Sequence, residues 1–125
     1  MEAEIDLDWS HKNYLKITIS GLLVKSELMA VMAEILQHPD YVKKHTFWDL
    51  RQTGMGLSMG DLKEIVGVLK LYKPRNPNFA DRAALLVPGR MNSAIAEVFV
   101  AMTKLLPIKY RVFRDQDEAK AYLLS

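Results

Sequence analysis

The chain is predicted to fold as an α/β protein: a mixed five-stranded sheet, made of an antiparallel N-terminal hairpin plus crossover strands, with about four helices. Two short alternating runs at the start predict the hairpin. Three later apolar runs of strand length, at about 45–50, 82–87 and 108–114, each precede a segment of helical periodicity. The resulting order, ββαβαβαβα, demands crossover connections and hence parallel pairing of the later strands. With 125 residues, half of them hydrophobic, the chain has material for one core and one domain, residues 1–125.

Glu2, Glu4, Asp6 and Asp8 alternate with Ala3, Ile5, Leu7 and Trp9, the period of a half-buried strand. Ser10–Asn13 is a turn. Leu15, Ile17 and Ile19 then alternate with Tyr14, Lys16, Thr18 and Ser20; Lys16 is expected opposite the acidic row, and Gly21 is expected to end the hairpin. Ser26 is the expected N-cap of a helix over about 27–38 with Leu28, Val31, Met32, Ile35 and Leu36 as its apolar stripe. His38-Pro39-Asp40 stops it, because the residue before a proline leaves helical space. Residues 45–50 read as a central strand.

The next helix, about 59–73, carries Leu62, Ile65, Val66, Leu69 and, at its end, Tyr72. Gly67 inside it is read as a point of close helix approach. Lys73–Asn78 is a loop by its prolines, and Arg82–Val87 a buried strand closed by Pro88-Gly89. The third helix, about 92–105, bears Ile95, Val98, Phe99, Met102 and Leu105 or Leu106, yet Ala94, Ala96, Val100 and Ala101 leave it few polar sides. A helix apolar nearly all round is covered on more than one side, either by its own domain or by the second chain of a homodimer. Ile108–Arg114 closes the sheet, with Ile108, Tyr110 and Val112 or Phe113 inward. Asp115 and Glu118 form a capping box for the last helix.

Composition excludes several function classes. With 17 basic and 15 acidic residues the net charge is only +2, so no nucleic-acid footprint is demanded. Lys70, Lys73, Arg75, Arg82 and Arg90 have only Tyr72 and Phe79 among them as stacking residues, and read as a solvated surface. The absence of cysteine removes disulfides and thiolate metal sites. The acidic start does not resemble a signal peptide, and no apolar run reaches the ~20 residues of a membrane span. A cytoplasmic protein is expected. His11, His38 and His45 lack metal-ligand spacing and read as structural or solvated. No metal, cofactor or nucleophile–base pair is legible, so no enzyme is expected.

The stretch 45–61, HTFWDLRQTGMGLSMGD, is the candidate site. A strand ends at Asp49, a loop with Thr53, Gly54, Gly56 and Gly60 follows, and a helix begins just after. Ligands and partners of α/β proteins dock beyond the carboxyl ends of strands. Asp49 is placed to accept from backbone N–H groups of the loop 51–56, and the glycines to permit left-handed turns. Ser58 is either a plain N-cap, the reading favoured by residue statistics, or a phosphoacceptor at a helix N-terminus. Met55, Met59, Met91 and Met102 either fill core gaps or line an adaptable groove.

Four segments together resemble the SpoIIAA-like family, within the broader STAS, or anti-sigma-factor-antagonist, type of fold. YLKITISGLLVKSEL is similar to that family's second strand and first helix, HTFWDLRQTGMG to its third strand ending in aspartate, RAALLVPG to its fourth strand, and YRVFRDQDEAKAYL to its closing strand and helix. The resemblance implies a non-enzymatic regulatory or protein-interaction module, with the partner unknown. In antagonists of this type an Asp-Ser-Ser-Gly segment carries a phosphorylated serine. Laid without gaps from Asp49, it falls on Leu57-Ser58-Met59-Gly60, so Ser58 matches the first serine while Met59 replaces the usual acceptor. Asp49, Thr53, Gly54, Gly56, Ser58 and Gly60 are therefore the expected partner-binding or phosphorylation residues. The resemblance extends to the lipid-binding CRAL-TRIO fold, which implies the alternative: a carrier of a small apolar ligand in a cavity between helices and sheet, lined by Met, Leu, Phe99 and Tyr72.

Overall fold

Five strands in sequential order make the sheet, and that order dictates where the helices lie. A computed structural model describes residues 3–72, 79–88 and 90–124, the side chains at 42 and 90–93 excepted. The strands are β1 (Glu4–Asp8), β2 (Tyr14–Val24), β3 (His45–Gly56), β4 (Arg82–Leu86) and β5 (Lys109–Phe113). Between and after them run α1 (Lys25–Gln37), a short 3₁₀ turn (Pro39–Lys43), α2 (Met59–Leu69), α3 (Arg90–Met102) and α4 (Gln116–Leu124). The sheet order is β1-β2-β3-β4-β5, with β1 antiparallel to β2 and every other pair parallel. The mixed sheet and the four helices are those read from the sequence.

Crossovers between parallel strands share one hand. When they step one way across a sheet, their helices fall on one face. Accordingly α1, α2 and α3 share a face with Leu15, Ile17, Ile19, Trp48, Leu50, Ala83 and Leu85. Among the described helices, α4, which follows the edge strand β5, lies on the other face. There it covers Tyr14, Phe47, Ala84, Leu86 and Phe113 through Ala119 and Leu123. Its N-terminus is capped by Asp115, whose Oδ2 accepts from the Glu118 N–H at 3.2 Å. The hairpin register places Lys16 opposite Asp8, at the end of the acidic row.

The largest departure from expectation is the length of two strands. Gly21 does not end β2, which continues to Val24; β3 does not stop near 50 but runs to Gly56. The two extensions pair with each other, Ser20–Val24 against Gln52–Gly56. Between Thr18↔Asp49 and Ser20↔Gln52 two steps of β2 match three of β3, so one extra residue of β3 bulges. The bulge exchanges the faces: Trp48 and Leu50 meet the three-helix layer before it, and Met55 does after it. Gly21 has φ 98°, the only positive φ among the described residues, and supplies the turn of backbone that β2 needs to follow.

Gly54 and Gly56 are thus strand residues, not left-handed turn residues. Their missing side chains leave a bed on which Leu22 lies. A Cβ at Gly54 would meet Leu22 Cδ1 at 3.5 Å, ordinary contact, whereas one at Gly56 would meet the Leu23 carbonyl oxygen at 3.1 Å. That oxygen belongs to the paired β2 backbone and cannot withdraw cheaply. Gly56→Ala is expected to destabilise by about 1–3 kcal/mol, while Gly54→Ala stays within about 1 kcal/mol of the parent. Urea midpoints of the two variants check this.

Smaller corrections follow from capping and exposure. The first helix starts at Lys25 with Val24 as N-cap and no side-chain cap bond, so Ser26 lies inside the helix and is exposed. The second ends at Leu69 and the third runs from Arg90 to Met102. Gly67 faces open space, with nothing within 4 Å of an added Cβ, so it marks no close approach. The expected loop 73–78, Glu2, Gly89 and the side chains of Arg90 and Met91 lie outside the described residues.

Candidate functional site

The carboxyl ends of β2 and β3 and the first turn of α2 form one corner of the molecule, and the residues expected there divide into two groups. Asp49 and Thr53 are structural and internal. Asp49 sits mid-strand and is buried, 7% exposed. Its carboxylate takes a bidentate pair from Arg51, Nε to Oδ1 at 2.9 Å and Nη2 to Oδ2 at 2.8 Å, and Oδ1 also accepts from the Arg51 N–H. The Arg51 hydrogen bonds hold the Asp49 carboxyl below its usual range against the opposing effect of burial. The expected bond to a backbone N–H is present, but with a strand residue in place of a loop. Thr53, 2% exposed, donates from Oγ1 to the Ile19 carbonyl at 2.7 Å, filling the partner that the bulge removes.

The second group is at the surface. The residues 51–56, expected as an accessible loop, are ladder; the open turn is confined to Leu57 and Ser58. Ser58 is exposed and caps α2: Oγ accepts from the Asp61 N–H at 3.1 Å, and Asp61 Oδ2 accepts from the Ser58 N–H at 2.9 Å. This reciprocal box is worth about 1 kcal/mol to the helix start. Gly60 lies in the first turn, exposed beside the Ser58 hydroxyl. Around them two apolar side chains are exposed, Leu22 at 45% and Met59 at 55%. Met59 is one of the methionines expected to fill gaps or line a groove; Leu22 carries no local signal, because Gly21 conceals the strand extension that presents it.

Beneath α3, between the three helices and the sheet, lies a cavity of about 60 Å³. Leu23, Met32, Met55, Leu62, Ile95 and Phe99 are among its wholly apolar lining. Phe99 is thus where the carrier reading put it. Tyr72 is not; it packs beside Tyr41, ring centroids 6.4 Å apart. The volume exceeds that of a water but falls below the ~150 Å³ that holds a benzene. Of the methionines, Met55 lines this space, Met102 packs between α2 and α3, and Met59 is exposed.

The histidines have structural partners. His11 stacks on Tyr14 and pairs with Asp8 at 3.3 Å. His38 stacks on Trp9, its Nδ1 accepting from the Asp40 N–H. His45 Nδ1 accepts from the Arg82 N–H at 3.0 Å, and burial followed by the Arg82 charge lowers its pKa. Arg82, from the basic set, donates to the Tyr122 carbonyl and lies over the Tyr122 ring. Among the described residues no group of three or more His, Asp or Glu could hold a metal ion, and no helix is long and apolar enough to cross a membrane.

A second polar cluster was not read from the sequence. Asp81, 6% exposed at the start of β4, accepts from the Tyr41 hydroxyl at 3.1 Å. Burial pushes the Asp81 carboxyl up to about 6, only partly offset by that hydrogen bond. Burial first, and the Asp81 charge second, also raise Tyr41 and Tyr110. The cluster sits at the amino ends of the parallel strands, opposite the Ser58 corner.

The sheet order, the antiparallel opening strand, the three-to-one division of helices and the capped turn after the third strand define a SpoIIAA-like, STAS-type fold. Two solved structures share it over nearly their whole lengths. One is an uncharacterized protein with a SpoIIAA-like fold from Shewanella loihica, 16% identical, TM-score 0.59, covering 97% of this chain and 93% of that one. The other is an anti-sigma factor antagonist from Mycobacterium paratuberculosis, 15% identical, TM-score 0.59, covering 99% and 96%. No family model and no curated protein matches the chain.

Proposed function

We propose that this chain is a non-catalytic regulatory module that docks a protein partner on the corner formed by Leu22, Gly56, Ser58, Met59 and Gly60. The carrying observation is the pair of exposed apolar side chains, Leu22 and Met59, flanking a capped and exposed hydroxyl. Apolar anchors beside a polar group are what a small protein interface uses. The antagonist name of one fold neighbour supports a protein as the partner, by analogy of fold. Asp49 and Thr53 take no direct part; through Arg51 and Ile19 they hold the extended strands that carry the corner.

Phosphorylation of Ser58 is the control we attach to this surface. A phosphate would gain from the free N–H groups and dipole of α2. It would also break the reciprocal box and set about two negative charges beside Asp61. The corner would then repel an acidic partner. The test is a photo-crosslinking residue at position 59 in native cells, with position 121 on α4 as the control. A single adduct specific to position 59, lost on Leu22→Asp, is expected. No adduct, or equal adducts at both positions, overturns the reading.

The second reading, a carrier of a small apolar ligand, is favoured by one observation: the all-apolar lining of the cavity under α3. At about 60 Å³ it admits a lipid only if α3 moves outward, since such pockets run to ~300 Å³ or more. Native mass spectrometry of protein from cells decides it: a ligand-free mass, unshifted by added fatty acid, removes it.

A further inference from the structure

The outward stripe of α3 is apolar where a surface helix is ordinarily polar. Among its described side chains the exposed positions are Ala94, Glu97, Val98 and Ala101, and exposure continues past the helix end at Lys104 and Leu105. The four within the helix recur at three- and four-residue steps, so they lie on one side, and Lys104 and Leu105 follow in the turn that closes it. Four of the six are apolar, with Val98 37% and Leu105 98% exposed. The inward positions, Ala96 and Phe99 among them, are accounted for by the core. Next to α3, packed on it through Ile65, Val66 and Leu69, α2 turns Val68 (48%) outward, and the turn after it exposes Leu71 (79%). A leucine left 98% in water is a cost with no return inside this chain.

Two charges among the described side chains of the stripe say what covers it. Glu97 lies near the middle of α3 and Lys104 just past its end, seven residues on. If α3 is laid antiparallel on a second α3 about a two-fold axis passing between Val98 and Ala101, each Val98 meets an Ala101. Each Ala94 then meets a Leu105. Within the same turn, Glu97 of each copy comes against Lys104 of the other, giving two opposite-charge pairs at the rim. Laid parallel, each charge would instead face its own kind. The face is therefore complementary to itself in one orientation, as an isologous contact must be. Among the described residues Glu97 makes a loose contact with Arg114, 4.0 Å between two side chains more than half exposed, which a closer pair can replace.

We infer that this chain forms an isologous homodimer through α3, with Val98, Ala101 and Leu105 as its apolar centre and Glu97–Lys104 pairs at its rim. Val68 of α2 and Leu71 just after it extend the contact. One helix stripe and its flank reach only the low end of protein interface size, about 1,200 Å² in total, so the dimer is a weak one, populated at about tens to hundreds of micromolar chain. The inference uses none of the residues of the Ser58 corner, so either proposal can fail alone.

Sedimentation velocity between about 5 and 500 μM tests it. The wild-type chain is expected to shift from monomer toward dimer across that range. Glu97→Lys alone and Lys104→Glu alone each set like charges across the axis and are expected to weaken the dimer about tenfold. Glu97→Lys with Lys104→Glu in the same chain restores the pairs and the wild-type shift. Leu105→Asp, at a side chain already in water, leaves the fold intact by circular dichroism and abolishes the shift. A wild-type chain that stays monomeric throughout, single reversals that dimerise as well as the parent, or a double reversal no better than the singles, each overturns the inference.

Discussion

Phe47→Ala is expected to lower stability by about 3–5 kcal/mol, read as a fall in the urea midpoint at unchanged slope. Phe47 is fully buried at the centre of the α4 face, with Tyr14 5.8 Å away between ring centroids. The face has a single helix over it, and the cluster of Phe47, Leu86, Phe113 and Leu123 is small. Truncation removes its largest fully buried side chain and leaves α4 few other apolar contacts to share the loss. α4 should also become the first site of proteolysis in the variant. Phe79, by contrast, is half-exposed and stacks on His45 at 4.7 Å. Phe79→Ala is expected to cost about 1 kcal/mol or less. Equal costs for the two variants would refute the claim that the α4 face is a true core.

The second large effect is a pH dependence carried by Asp81. Its carboxyl is raised from 3.8 to about 6 by burial, so between those values the folded chain holds a proton that the unfolded chain releases. Stability is therefore fullest below about pH 4 for this group and is lost as the pH rises through 6. At 1.36 kcal/mol per unit the loss is up to about 3 kcal/mol, flat above pH 7. Asp49 and Asp8 act in the opposite direction, because hydrogen bonds from Arg51 and Ser10 lower their pKa values and their contributions grow as the pH rises. The quantity to measure is thus the difference between the wild type and Asp81→Asn in denaturation series at pH 4, 5, 6 and 7. Asp81→Asn should gain on the wild type across that range. Tyr41→Phe, which removes the hydrogen bond that favours the ionised form, should make the wild-type loss deeper. A wild type and Asp81→Asn that run parallel with pH would exclude the assignment.

What the sequence disclosed and what it withheld have separate physical causes. Period-two alternation in 4–8 and 14–20, and the apolar runs at 82–87 and 108–114, report burial directly, and those strands are where the alternation puts them. The boundaries governed by pairing were hidden. Arg51-Gln52-Thr53-Gly54-Met55-Gly56 is polar and glycine-rich, and taken locally it reads as loop. It is strand because Ser20–Val24 supplies a partner, and because glycine lets Leu22 lie across it. Neither segment would be read as strand alone; each is made one by the other. The side-chain pair of Asp49 with Arg51 was hidden for the same reason: a two-residue step shares a face only once Arg51 is strand, and the sequence places Arg51 in a loop. Of the expected site residues, Ser58 and Gly60 lie at the surface and Gly54 and Gly56 serve Leu22. The Asp81–Tyr41 bond joins residues 40 apart and left no local mark.

The lone position of α4 bears on biosynthesis. On a ribosome, every strand that α4 shields is made before α4 itself. A nascent chain that has just completed β5 can already close its three-helix side, while Tyr14, Phe47, Leu86 and Phe113 still face water on the other. During that interval the half-built molecule presents an oily plane that chaperones would recognise, and stalled or nicked products lacking the final helix should be found in the insoluble fraction of cells.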